Sequence, residues 1–265
     1  MKTIISHKTI EYLEEAADKF RKASCPAALT GAGISVNSGI ADFRSPGGVW
    51  TIFSPDEYAT LDVFRRNPEK AWQLYRALGK GLLGKKPNQA HKVLAELEEK
   101  GLLRGLVTQN VDNLHQAAGS KNVLEIHGDH QHLQCLECDA TIQISESHYT
   151  MKDIPLCELC RFPLKPNVVL FGEAVRNMEE IEELMVRCDL LLVIGTSANV
   201  YPAAGLPMLV KEQGGLIYEF NLEQALSVPG YAKTAPVTDY FFEGDLTSTL
   251  TLFGRSVMPS SPVTN

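Results

Sequence analysis

No run in this sequence is long and apolar enough to cross a membrane. The most apolar stretch, Leu190–Gly195, falls far short of the roughly 20 residues that a spanning helix needs. The opening residues, "MKTIISHKTIEYLEEAADKF", also lack the apolar centre of a secretory signal, so a cytoplasmic protein with no membrane partner is expected. Dense Lys/Arg blocks are missing too. With a formal net charge of -7 the chain has no electrostatic footprint of an autonomous nucleic-acid binder, and no direct nucleic-acid partner is expected. Cysteines are sparse, six in 265 residues, which does not suit a disulfide framework, and no repeat period is visible. Because 44% of residues are hydrophobic and 22% charged, disorder is expected only at the polar, proline-bearing end "SVMPSSPVTN".

What is present is an alternation. The apolar residues of "TIEYLEEAADKFRKA" recur at helical spacing, with Ile10, Leu13, Ala17 and Phe20 on one face, and then give way to the short apolar run of "CPAALTGAGIS". Strand-length runs follow amphipathic segments again in "GLVTQN", "DLLLVIGTS", "GLIYEFN" and "TDYFFEGD". This is the pattern of an α/β fold, a Rossmann-like parallel sheet with helices on both faces. The runs end in small polar residues, at Thr30–Gly31, Thr108–Asn110, Gly195–Ser197 and Asn221. In an open α/β sheet ligands sit beyond the carboxyl ends of the strands, so these endings converge on one site. Two stretches break the alternation: Ala41 to about Lys86, with Trp50, Phe53, Tyr58, Phe64, Trp72 and Tyr75, reads as a helical cap, and Gly128 to about Phe171 reads as an inserted module.

Four of the cysteines form the pattern Cys135-x2-Cys138-x18-Cys157-x2-Cys160. Each pair suits two vertices of one tetrahedral zinc ion, and four thiolates leave no vertex open to activate water. One structural Zn2+ is therefore expected, holding together a ribbon with little core of its own. Cys25 and Cys188, beside apolar runs, read as inert buried thiols.

"LTGAGISVNSGIADFRS" follows a strand, and its glycines would let backbone amides approach a phosphate. It is not the usual dinucleotide fingerprint, since Val36 stands at the third glycine position, and it is no P-loop, since the lysine is absent. A tight turn into a helix is the plain alternative. Asn110 and Asp112, after a strand, are likewise ordinary turn formers, and His127, in isolation, would pass for a structural or surface residue.

Taken together, "GAGISVNSGIADFRS", "TQNVDNLH", "EIHG", the paired Cys-x-x-Cys, "FGE" and "GTSANVYPAA" occur in an order and spacing that resemble the sirtuins, NAD-dependent protein-lysine deacylases, of the compact bacterial and archaeal type. The resemblance covers residues 8 to 250 and implies NAD as a consumed co-substrate. It divides the chain into a Rossmann-like NAD-binding domain (1–40, 87–127 and 172–265), a helical insertion with the cofactor loop (41–86) and the zinc-ribbon module (128–171). It implies that Gly31, Ala32, Gly33 and Ser35 contact phosphate and ribose, and that Ala41, Asp42, Phe43 and Arg44 form the covering loop. Ala41 departs from the proline common there, which removes a rigid φ from the loop. Gln109, Asn110, Val111 and Asp112 match the ribose and nicotinamide contacts, and Gly195, Thr196 and Ser197 a second phosphate and ribose region. Asn221 and Asp245 match the adenosine side.

The same resemblance gives the chemistry. An acyl-lysine carbonyl oxygen attacks the nicotinamide ribose and expels nicotinamide; His127, with Asn110 as the other catalytic position, accepts a ribose hydroxyl proton; free lysine and O-acyl-ADP-ribose leave. Val169, Leu170 and Phe171, with Asn199 and Val200, would flank an acyl-lysine peptide as strands. Of the remaining histidines, His130 and His132 are expected to face solvent, His115 to support the cofactor floor and His91 to start a helix. A monomer is expected. ADP-ribosyl transfer or plain NAD hydrolysis in the same pocket is the alternative enzyme, and a non-catalytic NAD- and zinc-binding module the alternative outside enzymology.

Sirtuins that prefer acidic acyl groups carry Tyr-x-x-Arg in the helical insertion. Here the nearest counterpart is Trp72-x-x-Tyr75, with Arg76 one place out of register, so an apolar acyl group is expected. Given NAD and paired peptides, the purified protein should turn over acetyl-lysine faster than succinyl-lysine; the reverse order contradicts this reading.

Overall fold

The computed structural model describes residues 1–5, 10–226 and 237–258. Along the chain the first strands are β1 (Lys2–Ile5), β2 (Pro26–Thr30), β3 (Gly105–Thr108), β4 (Val123–Glu125) and β5 (Gly128–Cys135). They are followed by β6 (Thr141–Gln143), β7 (Leu164–Val168), β8 (Leu190–Ile194), β9 (Leu216–Asn221) and β10 (Tyr240–Glu243). The helices are α1 (Ile10–Lys22), α2 (Pro55–Tyr58), α3 (Leu61–Arg66), α4 (Pro68–Leu82) and α5 (Gln89–Glu99), then α6 (Leu114–Ala118), α7 (Glu146–Thr150), α8 (Met178–Arg187), α9 (Leu206–Glu212) and α10 (Leu246–Val257).

Seven strands form one parallel sheet in the order β1-β10-β9-β8-β2-β3-β4. The period-two rule sorts their side chains. Ala28, Leu106, Leu192, Ile194, Tyr218, Phe220 and Phe242 meet α1, α5 and α10 on one face. Ala27, Leu29, Val107, Leu191, Val193 and Ile217 meet α8 and α9 on the other. On the first face Phe220 and Phe242 stack with ring centroids 4.1 Å apart, and Phe253 of α10 closes edge-on at 5.4 and 5.3 Å. Such pairs contribute about 0.5–1.5 kcal/mol each beyond the area they bury. Leu13, Ala17 and Phe20 of α1 are buried on this face as their spacing predicts.

The strand order reverses between β2 and β8: from β2 the chain builds outward to β3 and β4, then returns to place β8 on β2's other side. A doubly wound sheet opens its ligand crevice at this switch point. The ends of β2 and β8 therefore fix where the site lies.

β6, β5 and β7 form a separate antiparallel sheet. Its inner side shares one core with the helical insertion, in which Phe64, Trp72 and Tyr75 pack with Leu133, Cys135, Tyr149, Cys157, Leu164 and Leu170. Trp72 Nε1 donates to Leu164 O at 2.8 Å, and Gly79 makes room for Tyr149, whose ring would lie 2.2 Å from any Cβ there. Trp72 and Tyr75 are thus committed to the core of the small sheet, while the Arg76 guanidinium donates to Lys152 O and Asp153 O.

Two expectations are corrected. His130 does not face solvent: it is 7% exposed, and its Nδ1 lies 2.6 Å from the Tyr149 hydroxyl in that shared core. A register break between Gly128 and Leu133 interrupts the alternation of β5, so His130 is buried along with Leu133 and Cys135, whereas His132 sits at an intermediate position against Asp129. At the carboxyl end, Ser256 and Val257 complete α10, and Val257 is buried because its position falls on the helix's apolar face. The rest of the tail, residues 259–265, lies outside the described residues.

Candidate functional site: a strand-end cleft beside a four-cysteine cluster

At the switch point backbone meets backbone. A Cβ on Gly31 would lie 2.8 Å from Gly195 O, and one on Gly33 2.8 Å from Gly195 Cα, closer than side-chain carbons approach. Gly195 itself takes φ +58, the left-handed region, with Ile34 N 2.7 Å from where its Cβ would stand. Gly31 N donates to Ile194 O and Gly33 N to Gly195 O, which sews the glycine loop to the end of β8. The loop continues as a 3-10 helix, Ala32–Ser38, without an acidic residue to repel phosphates.

From this seam a polar network extends across the strand ends. Asn110 Nδ2 donates to Gly31 O and to Ser35 Oγ, both at 3.2 Å, and Ser35 Oγ donates to Asp112 Oδ2 at 2.6 Å. Both amide hydrogens of Asn110 are committed inside the network, so the group it keeps for a ligand is its carbonyl oxygen. Burial raises the Asp112 carboxyl above its usual range, against the lowering effect of Ser35 and the Leu114 amide. Gln109 Nε2 donates to Thr196 Oγ1 at 2.9 Å, and Asn221 Nδ2 to Thr196 O at 3.0 Å, linking β3, β8 and β9. Val111 O accepts from His130 N at 3.1 Å. Asp245 caps α10 through Ser248 N and also accepts from Asn37 of the glycine loop.

The covering segment is tied from within. Asp42 accepts from the Arg44 and Ser45 amides at 3.0 and 2.8 Å, with Ala41 exposed just ahead of it. Phe43 packs on Trp50 at 5.0 Å between centroids, and Arg44 Nη1 donates to Ser197 Oγ at 2.9 Å, reaching across the cleft to the end of β8.

His127 follows β4 and is half-buried, with Nδ1 3.1 Å from Gln109 O. A carbonyl only accepts, so Nδ1 carries the hydrogen and Nε2 is left with its lone pair. Burial lowers the ring's pKa below its ordinary 6.5, opposed by the Gln109 carbonyl. The next residue, Gly128, takes φ +77, and a Cβ there would fall 1.9 Å from Asn167 O. The chain thus turns sharply from histidine into β5 where β7 crosses it.

Of the layer beneath, the sequence offered Thr30 and Thr108 as strand ends, His115 as floor support and His91 as a helix start, but not Asn88. Thr30 and Thr108, register partners at the ends of β2 and β3, share a 2.9 Å hydrogen bond, and Thr108 Oγ1 accepts from Asn110 N. His115 Nε2 lies 3.0 Å from Thr30 Oγ1, and its ring packs on His91 at 4.9 Å. Burial holds both rings neutral, with His91 down to about 4. Asn88 caps α5 and also donates to Ile34 O and Ser38 Oγ. The signal that could have found Asn88 is its place just ahead of the helical run "QAHKVLAELEE", the position of an N-cap.

Of the substrate candidates, Leu170 is buried in the small-sheet core, Phe171 is 48% exposed, and Val169 is intermediate with its amide on His127 O at 2.9 Å. Asn199 is exposed and Val200 intermediate, on the loop that leaves β8.

The four predicted ligand sulfurs all lie within 4.8 Å of one another, with Cys135–Cys160 at 3.4 Å and Cys138–Cys157 at 3.6 Å. Zinc–thiolate bonds of about 2.3 Å in a tetrahedron place sulfurs roughly 3.8 Å apart, so the cluster fits one Zn2+ held by protein alone. Cys188 is buried, which pushes its thiol up to about 12 as suits an inert group; Cys25, expected buried, is only half-buried, although burial still raises its thiol.

A glycine-lined crevice at the switch point of a parallel sheet, joined to a closed four-cysteine cluster, defines the class: a Rossmann-like nucleotide-binding fold with a structural metal site. The family model described as "Sir2 family" matches residues 31–202. The NAD-dependent protein deacylase of Pyrococcus furiosus is 40% identical over 238 residues, covering 88% of this chain and 92% of that protein. The NAD-dependent protein deacetylase of Sulfurisphaera tokodaii is 42% identical over 217 residues, covering 80% and 85%. Among solved structures, a Sir2 homologue–NAD complex superposes with TM-score 0.83 at 36% identity over 92% of this chain and 93% of that one. A Sir2–p53 peptide–NAD+ complex superposes with TM-score 0.77 at 35% identity, covering 92% and 96%. The chain belongs to the Sir2 family, the sirtuins.

Removing the metal, by chelation or by Cys160→Ser, should abolish hydrogen-exchange protection in residues 128–171 while the parallel sheet keeps its own. Unchanged protection of the small sheet in a metal-free sample contradicts a structural role for zinc.

Proposed function

We propose that the protein is an NAD-dependent protein-lysine deacetylase, which moves the acyl group from lysine to ADP-ribose and releases nicotinamide. The observation that carries this reading is His127: one nitrogen is fixed on Gln109 O and the other is free to accept a proton, just past the end of β4 and beside the loop that carries Asn110 from the end of β3. The named activities of the archaeal relatives support it.

NAD supplies the electrophilic ribose carbon and the nicotinamide leaving group; the chain supplies the rest. Gly31, Ala32, Gly33 and Ser35 hold phosphate and ribose with backbone and hydroxyl groups, supported by Gly195, Thr196 and Ser197. Asn110 and Asp112, cross-linked by Ser35, orient the carboxamide and ribose, while Gln109 and Val111 position the strand ends around them. Asn221 faces the adenosine side, and Asp245 contributes by tying α10 to the glycine loop. Phe43 on Trp50, in a loop latched by Arg44 to Ser197, keeps stray water from the reacting carbon. His127 Nε2 takes a ribose hydroxyl proton. Val169–Phe171 on one side and Asn199–Val200 on the other receive the acyl-lysine peptide.

Mass spectrometry of the products from an acetyl-lysine peptide and NAD tests this. Acetyl-ADP-ribose and nicotinamide are expected; free acetate with intact NAD overturns the reading, and nicotinamide released without any acyl-lysine favours ADP-ribosyl transfer or NAD hydrolysis. His127→Ala should lower kcat/KM by about a hundredfold or more with zinc retained. Only neutral His127 accepts a proton, and burial lowers its pKa, so the acid limb of kcat/KM should fall below pH 6.5.

A further inference from the structure

Lys165, on β7, has no exposed side-chain surface. Its ammonium lies 3.1 Å from Glu173 Oε2 and donates to Pro166 O at 3.1 Å and Val168 O at 2.6 Å, so three partners occupy its three donors. Glu173 Oε2 also accepts from Leu170 N at 2.7 Å. The ion pair therefore grips the backbone on both sides of Val169, whose own amide donates to the carbonyl of His127 at 2.9 Å. Phe171 N, next along, is held by Ala59 O at 2.9 Å.

A buried ion pair is a costly way to fill space, since apolar residues of similar volume often serve stability as well or better. What an apolar pair cannot do is hold a carbonyl oxygen and an amide, two residues apart, at fixed points. Burial lowers the Lys165 pKa to about 8, and Glu173 opposes the shift.

We propose that Lys165 and Glu173 are positioning residues for the acyl-lysine substrate: their buried ion pair fixes Val168–Leu170 so that a peptide docked on this segment presents its lysine to His127. This rests on the reading that Val169–Phe171 line the peptide cleft. Neither residue touches the reacting atoms. They set the distance between the cleft and the base through the Val169–His127 hydrogen bond and the adjacent Val168–Gly128 pairing.

Steady-state kinetics of the zinc-loaded protein with an acetyl-lysine peptide separate this role from a merely stabilising one. Lys165→Met should raise KM for the peptide about tenfold while KM for NAD stays within about twofold, and Lys165→Arg should restore most of the loss. A peptide KM that does not move, or a parallel change in both KM values, overturns the proposal. If Lys165→Met does not fold, Glu173→Gln decides: it keeps an acceptor for Leu170 N but removes the charge, and an unchanged peptide KM again overturns it. Photo-crosslinking an acetyl-lysine peptide to the unaltered protein distinguishes the two levels. Crosslinks away from residues 169–171 remove the cleft reading and the proposal with it, whereas crosslinks there with an unmoved peptide KM overturn the clamp alone.

Discussion

The site depends on a contact that contains no side chain. Gly31 and Gly33 lie with their backbone directly on Gly195, at the one place where the order of the parallel sheet reverses. That contact lets β2 and β8 end side by side with room above them, and it brings the loops after both strands within hydrogen-bond reach of Gln109, Asn110 and Asn221. Larger residues at these positions would push the loops apart. The nucleotide crevice is thus a consequence of sheet topology, made usable by three glycines.

A second constraint separates two chemistries that the sequence crowds together. His127 closes the nucleotide side, and Gly128, in the left-handed region, turns the chain beneath β7 into the ribbon that carries Cys135 and Cys138. The four sulfurs would fill the coordination sphere of one ion and leave it no vertex for water, so the base and the metal site are neighbours in sequence with different tasks. The ribbon in turn is not free-standing. It shares its core with the helical insertion through Trp72, Phe64 and Leu133, which ties the cover of the cleft to the segment running from β7 past His127.

Much of this was legible in the sequence because the signals were local or periodic. The alternation of helical and strand runs, the cysteine spacing and the polar strand ends are short-range patterns, and they specified the parallel sheet, the closed metal cluster and the row of residues now found at the strand ends. Tertiary pairing was not legible. His130 was misjudged because alternation in "GDHQHLQC" puts it on one face with His132, and only the strand pairing shows the register break between Gly128 and Leu133 that turns it inward. Thr30 and Thr108 needed the β2–β3 register before they could be seen as a pair, and the N-terminal strand β1, too short and polar to announce itself, is set by its pairing with β10. Nothing in the sequence marks Lys165 as buried, and only the fold reveals that Glu173 meets it in the interior.

If nucleotide binding rests on the side-chain-free seam between the glycine loop and the end of β8, the smallest side chain placed there will weaken it. Calorimetric titration of NAD into Gly33→Ala tests it most directly, with zinc content and the thermal transition confirming a folded chain. A methyl group forced to within 2.8 Å of Gly195 Cα should spread the seam and weaken NAD binding by about tenfold or more. An affinity equal to that of the unaltered protein would contradict the account.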